Sequence, residues 1–435
     1  MTRTGPQPVA APSLLPDDAP AAESVETAES VETAETVEAG SGWATIAPLL
    51  RAVVDERLLA QAVDDLGLDR VATVVAEELA VRCDPVEVEH AAHLSFEITS
   101  GRDRARRLVT VDRDGLTSQR DGWQDAPVRI SYDAVDLLRS LYGPGPGLGP
   151  GFDADHQTSR RVTTRPELNA PGPDRDGLAA IVRERQRLAR AVQAVVAACG
   201  RHPVDLGRLS ARFGSDKWAD LHWYTQHYER HFARFRDAPI RLLEIGIGGY
   251  DAPDQGGASL RMWQRYFPAA LVLGLDIVPK PGVRGPRIAT AVGDQGDPGL
   301  LDDLGRRFGP FDIVIDDGSH LNAHVRASFD ALFPYVRPGG LYVIEDLQTA
   351  YWPGFGGTAG PVAGPGTSVG LLKQLIDGLH HQEWVTPAAA PRPSYADRHA
   401  VALTVHHNLA FIEKGVNAEE GAPAFIDRGC SPAPA

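Results

Sequence analysis

Two apolar runs near the middle of the second half of the chain end in acids. They are FDIVIDDGSH (311–320) and GGLYVIEDLQ (339–348). If both are strands of one sheet, about 4.8 Å apart, Asp317 and the pair Glu345-Asp346 converge on one point. Three unpaired carboxylates there repel one another, and a divalent ion relieves that. Hard oxygen ligands favour Mg²⁺ or Mn²⁺ over zinc. Strand alternation sends Asp316 and Asp317 to opposite faces, so Asp317 is the expected ligand. Asp316, and Ser319 with it, is expected to cap the helix that follows. His320, three residues beyond Asp317, is the natural base for a hydroxyl proton near neutral pH. A sugar alcohol is a weak acid, and metal coordination makes its proton easier to take. His324, one turn on, reads as a helix-face residue.

A second set of polar ends precedes these. Glu244-Ile-Gly246-Ile-Gly248-Gly249 is a glycine turn that lets backbone approach a ligand and leaves N–H groups free. The dinucleotide fingerprint needs glycine at 251, where this chain has Asp251. An acid two residues before the first glycine instead fits S-adenosylmethionine-dependent methyltransferases. Asp276, ending the next run, suits two ribose hydroxyls. Gly293-Asp294-Gln295 then offers polar side chains for an adenine amino group.

These ends need a sheet to align them. IRLLEIGIG (240–248), ALVLGLDIV (270–278), PRIATAVGDQ (286–295) and the two acidic runs are mainly apolar rather than alternating. Between them SLRMWQRYF, GLLDDLGRRF and NAHVRASFDALFPYV read as helices. This is the α/β pattern of a parallel sheet covered on both faces, with ligands beyond the carboxyl ends of its strands.

Upstream, residues 43–142 read as a smaller α+β domain: two or three amphipathic helices, strand-like runs, then a helix after Tyr132-Asp133. It holds no cluster of chemically active residues, so assembly or substrate recognition is its expected role. Residues 143–204 form a Gly/Pro-rich linker and a connecting helix with Ile181, Leu188, Val192, Val195 and Cys199 on one face. Residues 205–435 complete the second domain. Residues 1–42 are an acidic tail with ESVETA repeats, expected to be disordered.

Residues 1–40 hold eight acids and one base, about half of the net charge of −15. The remainder is still acidic, which argues against a nucleic-acid partner. No apolar run reaches the ~18 residues of a membrane span, and the N-terminus lacks the basic start and apolar centre of a signal peptide. Cys83, Cys199 and Cys430 are scattered, as suits a reducing cytoplasm.

RFGSDKWADLHWYTQHYERHF (212–232), LEIGIGGYDAPDQGGASLRMWQRYFP, the stretch from GPFDIVIDDGSH to IEDLQTAYWPGFGG, and HHNLAFIEKGVNAE closely resemble antibiotic deoxysugar O-methyltransferases. That family includes the spinosyn rhamnose and the mycinamicin and macrocin-type 2-O-methyltransferases. The resemblance is dense from about 205 to 425 and looser before. It implies a class I (Rossmann-like) S-adenosylmethionine methyltransferase domain, with Mg²⁺ held by Asp317, Glu345 and Asp346 and with His320 as general base. It further implies donor contacts at Glu244, Gly246, Gly248, Gly249, Ser259, Asp276, Asp294, Gln295 and Asp317, and a tetramer in which N-terminal domains help close neighbouring sites. Tyr351, Trp352 and Phe355 follow the acidic pair and read either as a wall for sugar or macrocycle or as core packing. His222, Trp223 and Tyr224 read in the same two ways. The Gly/Pro-rich loop 358–370 reads as a lid or an ordinary mobile loop.

The expected function is therefore methylation of a deoxysugar hydroxyl on a glycosylated polyketide, with S-adenosylmethionine and Mg²⁺. The 2-hydroxyl of rhamnose leads; the 3- or 4-hydroxyl, or another sugar such as 6-deoxyallose, remains open. Two other classes stay in view: an NAD-dependent sugar dehydrogenase and a non-catalytic S-adenosylmethionine-binding module.

Overall fold

The structure, a computed structural model, describes residues 37–39, 41–143, 159–164, 175–200, 204–219, 222–250, 252, 255–385, 392–423 and 425–426. The first part of the chain runs β1 (Val37–Ala39), α1 (Ser41–Ala52), α2 (Glu56–Leu66), α3 (Leu68–Arg82), β2 (Ala92–Ser100), β3 (Asp103–Asp112), β4 (Gly115–Gln119), β5 (Val128–Asp133), α4 (Ala134–Tyr142), β6 (Arg161–Thr164) and α5 (Arg175–Ala198). Asp55 and Asp133 start α2 and α4 by accepting backbone N–H groups from the first turn. Strands β2 to β6 form one sheet in the order β4-β3-β2-β5-β6. Its apolar face meets α1 to α4 around Leu49, Val75, Leu79, Phe96, Ile130 and Leu138.

The rest runs α6 (Leu206–Phe213), β7 (Trp218–Ala219), β8 (His222–Trp223), α7 (Thr225–Phe232), β9 (Arg241–Ile245), α8 (Ala258–Tyr266), β10 (Leu271–Asp276), β11 (Ile288–Val292), α9 (Pro298–Phe308), β12 (Phe311–Asp316), α10 (Asn322–Leu332), β13 (Val336–Ile344), α11 (Ser368–Leu379), α12 (Tyr395–His399), β14 (Ala400–His406) and β15 (Leu409–Lys414). The large sheet has the order β1-β11-β10-β9-β12-β13-β15-β14. Strands β9 to β13 pair in parallel, as the apolar runs predict. Successive residues serve opposite faces. Leu242, Ile313, Ile315 and Val343 pack with Tyr228, Phe232 and Trp263, while Leu243, Ile245, Val314 and Ile344 pack with Leu301, Phe329 and Leu372.

Three expectations change. The reading of 1–42 as one disordered tail fails at its end, because Val37–Ala39 pairs antiparallel with β11 and a helix begins at Ser41. That strand covers the backbone groups β11 would otherwise leave open. Residues 1–36 lie outside the described residues, as does Cys430. Within the presumed linker, Arg161–Thr164 adds an edge strand beside β5. Helix α5 does bury the expected face, but in the first core, where Leu188, Val195 and Cys199 join Ala191 and Ala198.

The two cores meet through charge. Arg287, entering β11, sends Nε and Nη2 to Glu78 of α3 at 2.9 and 2.8 Å. Its other donors reach the carbonyls of Gln264, Phe267 and Ala270. Glu78 also accepts from Arg82 at 2.6 Å. Burial would raise the Glu78 pKa, but the two guanidinium groups outweigh it and hold the acid at about 2.

Candidate active site

Sheet order reverses between β9 and β12, which opens a crevice beyond the strand ends. Gly246 N bonds Leu275 O, Asp317 N bonds Ile245 O, and Glu345 N bonds Asp316 O. These bonds bring three strand ends level. A cavity of about 890 Å³ lies over them, lined by Gly246, Gly248, Gly249, Ser259, Asp276, Asp294 and Gln295. Asp317, His320, His324 and Asp346 line it as well. Gly246 has φ +90°, and a Cβ there would collide with the Asp317 carbonyl. Overpacking of this kind costs about 1–3 kcal/mol, so Gly246→Ala should lower folding stability by about that amount. Denaturant unfolding reads this directly, and wild-type stability would refute the close fit.

Asp276 accepts from Ile247 N at 3.0 Å and Val278 N at 2.9 Å, which fixes its carboxylate at the cavity wall. Two of the expected donor-site residues are engaged by other side chains or backbone. Glu244 is fully buried and does not line the cavity. Its Oε2 instead accepts from Ser259 Oγ and Trp263 Nε1, and Ser259 is the residue that reaches the cavity. Gln295 does line the cavity, but its amide is committed to Asp316 Oδ1 at 2.9 Å and Ser319 N at 2.6 Å. Asp294, exposed beside it, is the more available polar group.

Alternation separates the adjacent acids as expected. Asp316 does not cap a helix, however: it is buried, bonded to Gln295, Ser328 and Tyr342. Leu321 occupies the cap position of α10 without a side-chain bond, and Ser319 Oγ accepts from Leu321 N. His324 is more than a helix-face residue, since it lines the cavity with Nδ1 3.1 Å from Ser319 Oγ.

Asp317 and Glu345 are not unpaired. Lys217, almost wholly buried just ahead of β7, places Nζ 2.7 Å from Asp317 Oδ2 and 2.6 Å from Glu345 Oε1. Glu244 Oε1 is 3.5 Å away. The Tyr228 hydroxyl of α7 also donates to Glu345. Burial alone would lower the lysine pKa, yet the three acids together hold it well above its ordinary value. Burial pushes Glu345 up strongly, with Asp317 adding to the effect, and pushes Glu244 up to about 7. Sequence reasoning missed Lys217 and Tyr228; the GSDK stretch was the only signal available.

Asp346 has a separate setting. Tyr224 Oη donates to its Oδ1 at 2.9 Å, and His222 Nε2, stacked on Tyr224, is 3.5 Å from the same oxygen. His320 Nε2 lies 3.4 Å from Oδ2. Asp317, His320 and Asp346 each bring one ligand atom within 4.8 Å of the others, and Glu244, Asp317 and Glu345 form a second such group. The structure thus links all the expected ligands through Asp317 and faces Glu345 toward Lys217. Among the described residues, the non-glycine residues with positive φ are Tyr250, His320, Asp346 and Asn408. The first three line the cavity, and the Asn408 carbonyl accepts from Leu347 N beside Asp346. Strained backbone of this kind costs on the order of 1–3 kcal/mol each and persists where the surroundings enforce it.

Tyr351 and Trp352 are exposed, which removes the core-packing alternative for them, and Phe355 is half-buried beside Trp352. None of the three lines the cavity. Asn322 holds their segment by donating to Thr349 O and Phe355 O, and its Oδ1 accepts from Ser368 N of α11. Tyr224 is buried against Asp346, whereas Trp223 is exposed. The 358–370 loop is tied down by Arg326 to Pro365 O and by Lys373 to Ala363 O, and its last residues already belong to α11.

A doubly wound sheet with a glycine turn, a ribose-type acid and acids at the switch point defines the class: a Rossmann-like methyltransferase domain beside an α+β domain. Comparison with known proteins gives the family. The profile described as MycE methyltransferase N-terminal matches residues 46–148. Demethylmacrocin O-methyltransferase of Streptomyces fradiae is 45% identical over 368 residues, 83% of this chain and 89% of that one. The 8-demethyl-8-(2-methoxy-alpha-L-rhamnosyl)-tetracenomycin-C 3'-O-methyltransferase of Streptomyces olivaceus is 42% identical over 87% of this chain and 94% of its own. A solved structure of MycE methyltransferase from the mycinamycin biosynthetic pathway, in complex with Mg and SAH, superposes with a TM-score of 0.79 at 42% identity. It covers 88% of this chain and 95% of that one. The chain belongs to the antibiotic deoxysugar O-methyltransferases and is an O-methyltransferase, not a dehydrogenase or a mere binding module. Among the described residues no helix is long and apolar enough to cross a membrane.

Proposed function

We propose that this enzyme methylates the 2-hydroxyl of a rhamnosyl group on a glycosylated polyketide, using S-adenosylmethionine and Mg²⁺. One observation carries the reading: Asp317, His320 and Asp346 converge in a cavity that the glycine turn and Asp276 also line. The donor set fits a hard divalent cation, since it is oxygen-rich and carries more negative charge than Lys217 balances. Asp317 and Asp346, with Glu345 behind them, would hold the ion. Bound there, it supplies Lewis acidity that makes a chelating sugar hydroxyl easier to deprotonate.

The chain's own residues do the rest. His320 takes the hydroxyl proton at Nε2, the nitrogen 3.4 Å from Asp346 Oδ2. Tyr224 and His222 keep Asp346 in place. Asp276 and the glycine turn position the donor, so the oxygen meets the methyl group already aligned. Tyr351, Trp352 and Phe355 serve as substrate contacts on the acceptor side. The working form is a cytoplasmic tetramer, testable by analytical ultracentrifugation.

Dialysis against EDTA should abolish turnover, with recovery on adding Mg²⁺; full activity in chelator would sink the metal. A panel of rhamnosylated and other deoxysugar polyketides with labelled donor, read by NMR, tests the position. The panel includes 2-O-methylated rhamnosides, because the Streptomyces olivaceus relative is named for the 3'-position. Methylation only at the 3- or 4-hydroxyl would replace the 2-hydroxyl reading.

A further inference from the structure

We propose that Lys217 is an internal counter-ion that competes with the divalent cation for Asp317 and Glu345 and is handed to Glu244 when the cation binds. The proposal rests on the metal site of the preceding reading. Without a cation, three carboxylates side by side, two buried and Asp317 at the cavity wall, need a positive charge, and Lys217 supplies it through two short bonds. Those bonds use oxygens that a divalent ion would also claim. An incoming cation therefore displaces a protein charge rather than entering a vacant acid nest.

The displaced ammonium has somewhere to go. Glu244 Oε1 is buried, has no hydrogen-bond partner and lies 3.5 Å from Nζ. Its other oxygen is fixed by Ser259 and Trp263, so this free lone pair points steadily at the lysine. A buried acceptor without a partner is costly, and a shift of Lys217 toward it removes that cost. Because Ser259 also lines the cavity, the exchange links the metal ligands to a donor-site residue.

Two variants move metal affinity in opposite directions, which a merely structural lysine would not do. Lys217→Gln removes the competitor and should tighten Mg²⁺ binding about tenfold or more, while the metal-free protein melts earlier. Glu244→Gln leaves the second seat a weaker, uncharged acceptor at every pH, so Lys217 stays on Asp317 and Glu345 and Mg²⁺ binds more weakly, by about tenfold above pH 7 where Glu244 is ionised. Both are read by calorimetry with MgCl₂ alone on the full chain, beside thermal melts with and without Mg²⁺. Unchanged or weaker binding in Lys217→Gln overturns the proposal. If that variant does not fold, Glu244→Gln decides alone, and unchanged or tighter binding there overturns it. If the unaltered enzyme binds no Mg²⁺ at all, the metal reading itself fails, which is a separate result.

Discussion

Replacing His320 with alanine should cost about 10²–10⁴ in turnover, the usual contribution of a positioned general base. The donor cavity keeps its glycine turn, Ser259 and Asp276 in that variant, so S-adenosylhomocysteine should still bind. His320 has φ +55°, a backbone that alanine tolerates poorly, so the alanine variant mixes a loss of the base with backbone strain. His320→Asn separates the two, because asparagine accepts the left-handed region yet cannot take a proton near neutral pH. Both variants should show the same loss of kcat with intact donor binding. Asp317→Ala, by contrast, should lose Mg²⁺ affinity as well. Turnover near wild type in His320→Asn would remove the histidine from the mechanism.

The largest effect on stability is expected far from the chemistry. Arg287→Met leaves Glu78 buried with only Arg82 as counter-charge and strands the carbonyls of Gln264, Phe267 and Ala270. Breaking a buried pair from one side costs about 3–5 kcal/mol. For a chain of this size that lowers Tm by about 3–6 °C. The acid limb tests the same contact. The folded pKa of Glu78, about 2, is below the ordinary carboxylate value of about 4.3. Its stabilisation is therefore complete above the unfolded pKa and is lost as pH falls from there through about 2. Unfolding between those limits should be shallower in Arg287→Met than in the parent. A melt unchanged by the substitution would mean water already reaches the pair.

Much of this architecture could be read from the chain because its central strands are buried on both faces. Short, mainly apolar runs such as 271–275 and 313–315 have few other uses, and the parallel order follows from the helices between them. The edges were harder. Strands β14 and β15 join at His407-Asn408 and pair antiparallel beside β13, and in sequence they stood out only through family likeness. Likewise β6 hides in a Gly/Pro-rich stretch, because an edge strand needs little apolar pattern of its own. In the site, Asp317 and His320 were legible from their place after a strand. Lys217 was not: its partners are 27 to 128 positions away, and no local pattern announces a charge that arrives from another element. The settings of Asp316 and Glu244 share that origin, since each spends its polar atoms on side chains distant in sequence.

The left-handed backbone at His320 and Asp346 also bears on how such an enzyme evolves in the laboratory. Glycine or asparagine would relax either position, so a library selected for heat tolerance alone should accumulate them there. Each gain in robustness would delete the base or an acid of the reaction. Directed evolution toward a hardier glycoside methyltransferase should therefore hold positions 320 and 346 fixed and look for its gains elsewhere in the chain.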